Sequence, residues 1–185
     1  MITASFLATV LLGAIAAGQS PLAEWHEQVI PATCVLRFAV PGGWDVQARS
    51  PSAGGVSLTL QPAAGAKARV LISGTAEKGT SELKSTSDIK RAVKTMGEAL
   101  LSGTVEKRLK LVRVDGRIGA GFFYSLTDKR TELPEGEFRH MTQGIMAVGP
   151  MRLAVTVLAD QLDSPAWKMA LDLLRTADCE PLPAR

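Results

Sequence analysis

The apolar residues of this chain change their spacing three times, and that order restricts what it can fold into. In VSLTLQP (56–62), Val56, Leu58 and Leu60 alternate with polar neighbours, the period that sends successive side chains to opposite faces of a strand. TCVLRFAV (33–40), WDVQARS (44–50) and ARVLIS (68–73) also read as strands, separated by the loop compositions PSAGG and AAGAK. Between Ser81 and Leu101 the spacing lengthens, and Ile89, Val93, Met96 and Leu100 form one face of an amphipathic helix. Ser85 with Asp88 predicts its capped start, and Gly103 its stop. Strand patterns then return. VEKRLKLVRV and RIGAGFFYSLT flank Asp115-Gly116, while FRHMTQGIMAV and MRLAVTVLA flank Gly149-Pro150, which predicts two hairpins around the polar loop 128–137. Ser164-Pro165 opens a last helix with the stripe Met169, Ala170, Leu173, Leu174 and Ala177.

Consecutive strands joined by tight turns make an antiparallel sheet. Ile145 to Val148 is apolar on both parities, as is most of Leu153 to Leu158, so these strands are expected to be covered on both sides. With two amphipathic helices, the fold class predicted is α+β, an antiparallel β-sheet flanked by helices on both faces. PLAEWHEQV (21–29) suits a short helix, and the tail CEPLPAR is expected to be loose beyond Cys179. A length of 185 residues predicts one domain.

The first residues predict export. MITASFLATVLLGAIAAGQS has no charged side chain, and its apolar run from Phe6 to Ala17 is short for a membrane span of ~20 residues. It suits the apolar region of a secretory signal, with small residues at Ala14, Ala16, Ala17 and Gly18 for cleavage. The expected organisation is a signal peptide at 1–18, a lead-in at 19–32, a single domain at 33–179 and a loose tail at 180–185. The product would be periplasmic or secreted; the rival is an uncleaved N-terminal membrane anchor. Two cysteines, Cys34 and Cys179, allow one intramolecular pair, which suits an oxidising compartment. Two buried free thiols are the other reading.

Little in the chain reads as chemistry. His26 and His140 lack any HxH, HExxH or CxxC context, so no metal and no cofactor is expected. There is no GxSxG elbow, and the acidic loop of Asp128, Glu132, Glu135 and Glu137 lacks calcium-loop spacing. Gly119-x-Gly121 lies inside a strand pattern and marks a bulge or a close backbone contact rather than a dinucleotide loop. In FAVPGGWDV (38–46) the glycines precede a strand, not a helix, so they predict a turn with Trp44 packed inward rather than a phosphate cradle. No catalytic residue is assigned. Lys+Arg of 21 against Asp+Glu of 18 gives +3, short of a nucleic-acid footprint. Lys107, Arg108, Lys110, Arg113 and Arg117 form a candidate basic interaction patch, with Lys84, Lys90, Arg91 and Lys94 on the preceding helix. It would suit an anionic lipid surface or an acidic partner.

The element order resembles the PsbP-like α/β/α sandwich, which includes DcrB-like bacterial envelope proteins. The features that carry the likeness are FAVPGGWDV, the helix before the VEKRLKLVRVDGRIGAGFFYSLT hairpin, and the ending of strand 151–159, Ser-Pro cap and helix. It spans about residues 33–178 and contains no diagnostic motif. The resemblance implies a non-enzymatic adaptor or assembly module, here an exported one whose partner is an envelope protein. A second reading is a carrier for a small apolar or lipid ligand lined by Met96, Met141, Met146, Met151 and Met169. A third is a hydrolase with a dispersed site around His140.

Overall fold

The computed structural model describes residues 23–49, 54–64, 67–76, 83 and 85–182. The expected signal peptide, Lys84 and residues 183–185 lie outside them. Strands β1 (Glu24–Ile30), β2 (Cys34–Val40), β3 (Trp44–Arg49), β4 (Gly55–Pro62) and β5 (Ala68–Ala76) precede helix α1 (Thr86–Leu100), which ends in a 3-10 turn (Leu101–Gly103). Strands β6 (Val112–Asp115), β7 (Ala120–Thr127), β8 (His140–Val148) and β9 (Met151–Ala159), helix α2 (Pro165–Thr176) and β10 (Asp178–Pro181) complete the chain.

The strands form two antiparallel sheets rather than the one expected. Seven lie in the order β3-β4-β5-β9-β8-β7-β6, and three in the order β1-β2-β10. The turn at Pro41-Gly42-Gly43 carries the chain from one sheet to the other. Trp44 N–H bonds Pro41 O at 3.2 Å, and Gly43 has a φ of +78°, a conformation that glycine adopts freely. Trp44 then packs against the main core, as its position after the turn predicted.

The helices rest on different sets of residues. In α2, Ala170, Leu173 and Leu174 join a core with Phe123 and Met146 of the large sheet and Leu36 and Phe38 of the small one. In α1, Ile89 and Val93 join Tyr124, Leu126 and Ile145. The α1 start is a capping box, with Ser85 and Asp88 each bonding the other's backbone N–H. Ser164 accepts from Trp167 N–H at 3.2 Å and starts α2 with Pro165 in its first turn. Gly149-Pro150 closes β8 on β9 with Val148 opposite Met151, the predicted hairpin.

Four local expectations are corrected. Residues 24–30 form a strand, not a helix: Trp25, Glu27 and Val29 point outward while His26, Gln28 and Ile30 pair with the core-facing Phe38, Leu36 and Cys34 of β2. Glu180 and Pro181 are not loose but continue β10 along Val35 and Cys34. The β6–β7 connection has four residues, with Asp115 opposite Ala120, because Arg117 N–H is drawn to Arg175 O at 3.1 Å. Finally, 106–111 is not strand. Glu106 Oε2 takes the Thr127 N–H at 2.9 Å, and Leu109 turns under α1, where a Cβ on Gly97 would lie 2.6 Å from it. The segment bows off the sheet edge as a result.

The glycines of Gly119-x-Gly121 mark a close backbone approach, as expected. A Cβ on Gly121 would meet Ile145 O at 2.5 Å, and one on Gly119 would strike Ala147 O. The cysteines form the Cys34–Cys179 disulfide, with Cα atoms 5.6 Å apart. It joins β2 to its neighbour β10.

Burial depresses the pKa of both histidines. His26 stacks on Phe38 with ring centroids 5.2 Å apart, and its Nε2 is buried without a hydrogen bond. At His140 burial outweighs the attraction of Glu106 and Asp160 and acts with the repulsion of Arg139. Below the unfolded-state value of about 6.5, the unfolded chain takes up protons that the fold resists, so stability falls as pH drops through that range. The urea midpoint should be lower at pH 5.5 than at pH 7.5, and His26→Gln with His140→Gln should flatten the difference. Equal midpoints for the wild-type protein would refute this account.

Candidate functional site

The outer face of the small sheet is the best-formed recognition surface. β1, β2 and β10 align Glu27, Arg37 and Asp178 across the strands, and Val29, Val35 and Glu180 in the next row. The β6–β7 turn rises beside them. Together they enclose an open groove of about 780 Å³ lined by Trp25, Glu27, Arg37, Arg117, Ile118 and Asp178, among others. Its apolar groups are unusually bare, with Trp25 57% exposed and Ile118 41%, and Val29, on the same sheet face beside the groove, is 55% exposed. Its cations are fixed. Arg37 pairs with Glu27 at 2.8 Å and with Glu180, and Arg117 pairs with Asp178 at 3.3 Å.

Sequence reasoning missed this surface except for Arg117. The signal was present in Trp25, Glu27 and Val29, a period of two, but His26 and Gln28 on the other parity hid it. The other members of the basic stretch go elsewhere. Arg113 is held by Asp115 at 2.7 Å. Lys107, Arg108 and Lys110 stand exposed on or beside the bow at 106–111, with no ion pair among the described residues. On α1, Lys94 pairs with Glu98 and Arg91 with Asp88, while Lys90 lies over the Phe122 ring. The stretch is therefore not one uniform patch.

His140 Nδ1 lies 3.1 Å from Thr127 Oγ1. Burial works to raise the Glu106 pKa, but the N–H and hydroxyl of Thr127, together with Glu106's own N–H and the Thr104 hydroxyl, outweigh it and hold the carboxyl below its ordinary range. This trio staples the bow to β7. Among the described residues, no three histidine, cysteine or carboxylate side chains converge as a metal site.

Two other clefts are apolar. One, of about 430 Å³, lies between the Gly42-Gly43-Trp44 turn and Met169 of α2. The other, of about 310 Å³, opens where α1 ends, over Leu126, Met141 and Leu158. The five methionines proposed as one lining are dispersed. Met146 and Met151 are core residues, Met96 belongs to α1 and packs against the core beneath it, and Met141 and Met169 reach different clefts.

No protein-family profile matches this chain, and no curated protein sequence matches it. Its structure is similar to that of a protein from Bacteroides thetaiotaomicron VPI-5482, at 14% identity and a TM-score of 0.47 over 78% of this chain; the chain spans 45% of that protein's length. It is also similar to cyanobacterial PsbP (CyanoP) from Synechocystis sp. PCC 6803, at 13% identity and a TM-score of 0.50 over 88% of this chain and 95% of that one. At that identity the likeness is one of backbone architecture, and the chain has a PsbP-like fold.

Proposed function

We propose that this chain is an exported, non-enzymatic interaction module of the bacterial cell envelope, a PsbP-like α/β/α sandwich that docks a protein partner in the Trp25 groove. The observation that carries the reading is the pair of bare apolar groups in the groove, Trp25 and Ile118, with Val29 beside it on the same sheet face, around ion-paired arginines. Tryptophan and arginine are the residues that most often dominate binding energy at interfaces. Arg37 and Arg117 are already oriented by carboxylates, so little side-chain freedom remains to be lost on docking. Export is supported by the Cys34–Cys179 disulfide, since such bridges persist in oxidising compartments, and by the uncharged apolar N-terminal run. Among the described residues, no helix is long and apolar enough to cross a membrane.

A photo-crosslinking residue at position 25 or 118, introduced into cells, should give a discrete protein adduct, while one at the exposed Gln47 of β3 should not. The adduct from position 118 should disappear in Trp25→Ala. Adducts of lipid mass alone, or none from either position, would overturn the reading.

A further inference from the structure

The cleft at the end of α1 pairs an apolar floor with a charged mouth. Leu126, Met141 and Leu158 form the floor, and Leu100, which is 41% exposed, and Phe138 form the walls. Gly103 leaves one side open, since a Cβ there would meet nothing within 4 Å. The mouth is where the charge gathers. The Asp128 carboxylate is already taken, with Arg130 donating its backbone N–H at 2.8 Å and its guanidinium at 2.6 Å. Arg130 also pairs with Glu137. Arg139 donates only to backbone carbonyls, to Asp128 O at 3.3 Å, to Thr131 O at 3.0 Å and to Arg130 O. Lys129 donates to Ser102 O, and Arg69 lies 5.7 Å over the Phe138 ring. Among the described residues, none of Arg139, Lys129 and Arg69 forms an ion pair. Neutral carbonyls hold Arg139 in place beside the apolar floor, and the carboxylate nearest in its field, that of Asp128, is bound by Arg130 rather than by Arg139.

We propose that this cleft binds a single-chain aliphatic carboxylate, with its chain over Leu126, Met141 and Leu158 and its head at Arg139. A cleft of about 310 Å³ takes one short chain. At ~30 Å³ per heavy atom, the volume of a water in the liquid, that is about ten atoms. A guanidinium that forms no direct ion pair of its own selects an anionic head over a neutral or cationic one. The inference is independent of the protein partner assigned to the Trp25 groove, which lies on the other sheet.

Binding of hexanoate, octanoate, decanoate and dodecanoate below their micelle concentrations should be measured on the full chain by calorimetry. Affinity should rise roughly fourfold per methylene, the factor for burying one CH₂, and stop rising near ten carbons. Decanol should bind at least about tenfold more weakly than decanoate, and decylammonium more weakly still. Arg139→Gln should reduce decanoate to the level of decanol and leave decanol unchanged, which a merely loosened loop would not do. Arg139→Lys should keep part of the preference. Met141→Trp, checked for folding by its melting curve, should abolish all binding, whereas Trp25→Ala should change none of it. Failure of the wild-type chain to bind any of the acids would overturn the proposal, as would equal binding of acid and alcohol or binding that survives Met141→Trp.

Discussion

Replacing Cys34 and Cys179 together by alanine is expected to remove up to about 5 kcal/mol of stability. The bridge closes a loop of 145 residues, and the chain-entropy estimate for so long a loop is about 5 kcal/mol as an upper bound. Both cysteines are buried in the core that α2 shares with the two sheets. β10 is only four residues long, so its place beside β2 rests heavily on that bond. At ~2–4 °C per kcal/mol for a chain of this size, the melting temperature should drop by roughly 10–20 °C. Urea unfolding of the oxidised protein and the double variant measures the difference. A loss below about 1 kcal/mol would show that the bridge contributes little to the fold.

Gly144→Ala is expected to cost about 3 kcal/mol or more, although it adds a single methyl group. Gly144 stands opposite Phe123 where β8 meets β7. A Cβ there would lie 2.5 Å from Phe123 Cδ1 and closer still to the carbonyl oxygen of Phe122. Backbone in an interior pair of strands has little room to retreat, so the clash must be relieved by moving β7 or tilting the Phe123 ring, which is buried. Gly103→Ala provides the control, because its new methyl would meet open space, and its stability should change by less than about 0.5 kcal/mol. Comparable losses for the two variants would mean that steric conflict is not what keeps position 144 a glycine.

The parts of the fold that were legible in the chain are those where local signals agreed with tertiary packing. The Ser85–Asp88 capping box, the Ser164-Pro165 start and the Gly149-Pro150 hairpin each carry their own turn or cap chemistry, and each forms where it was expected. The cysteine pairing followed from count and compartment. The failures share a different cause. Residues 24–30 have polar His26 and Gln28 on their inward side, so no apolar stripe marks the strand; only pairing with β2 makes it one. Glu180-Pro181 has no strand propensity of its own and is held by the same neighbour. The VEKRLKLVRV run does alternate, yet Leu109 finds better burial beneath Gly97 of α1 than in a regular ladder. The candidate groove was illegible for a similar reason. It brings Trp25, Arg37, Arg117 and Asp178 together from four separate stretches of chain, and only the three-stranded sheet with the β6–β7 turn beside it makes them neighbours.

The same sheet also determines the time at which the molecule can finish folding. β2 is synthesised well before the strand that completes its flank, with their cysteines 145 residues apart. At ~5–20 residues per second, β2 waits roughly 7–30 s on the ribosome for β10 to exist. During that interval Leu36 and Phe38 have neither α2 nor the last strand to cover them. A nascent chain of this design leaves its small sheet incomplete until both α2 and β10 have been made.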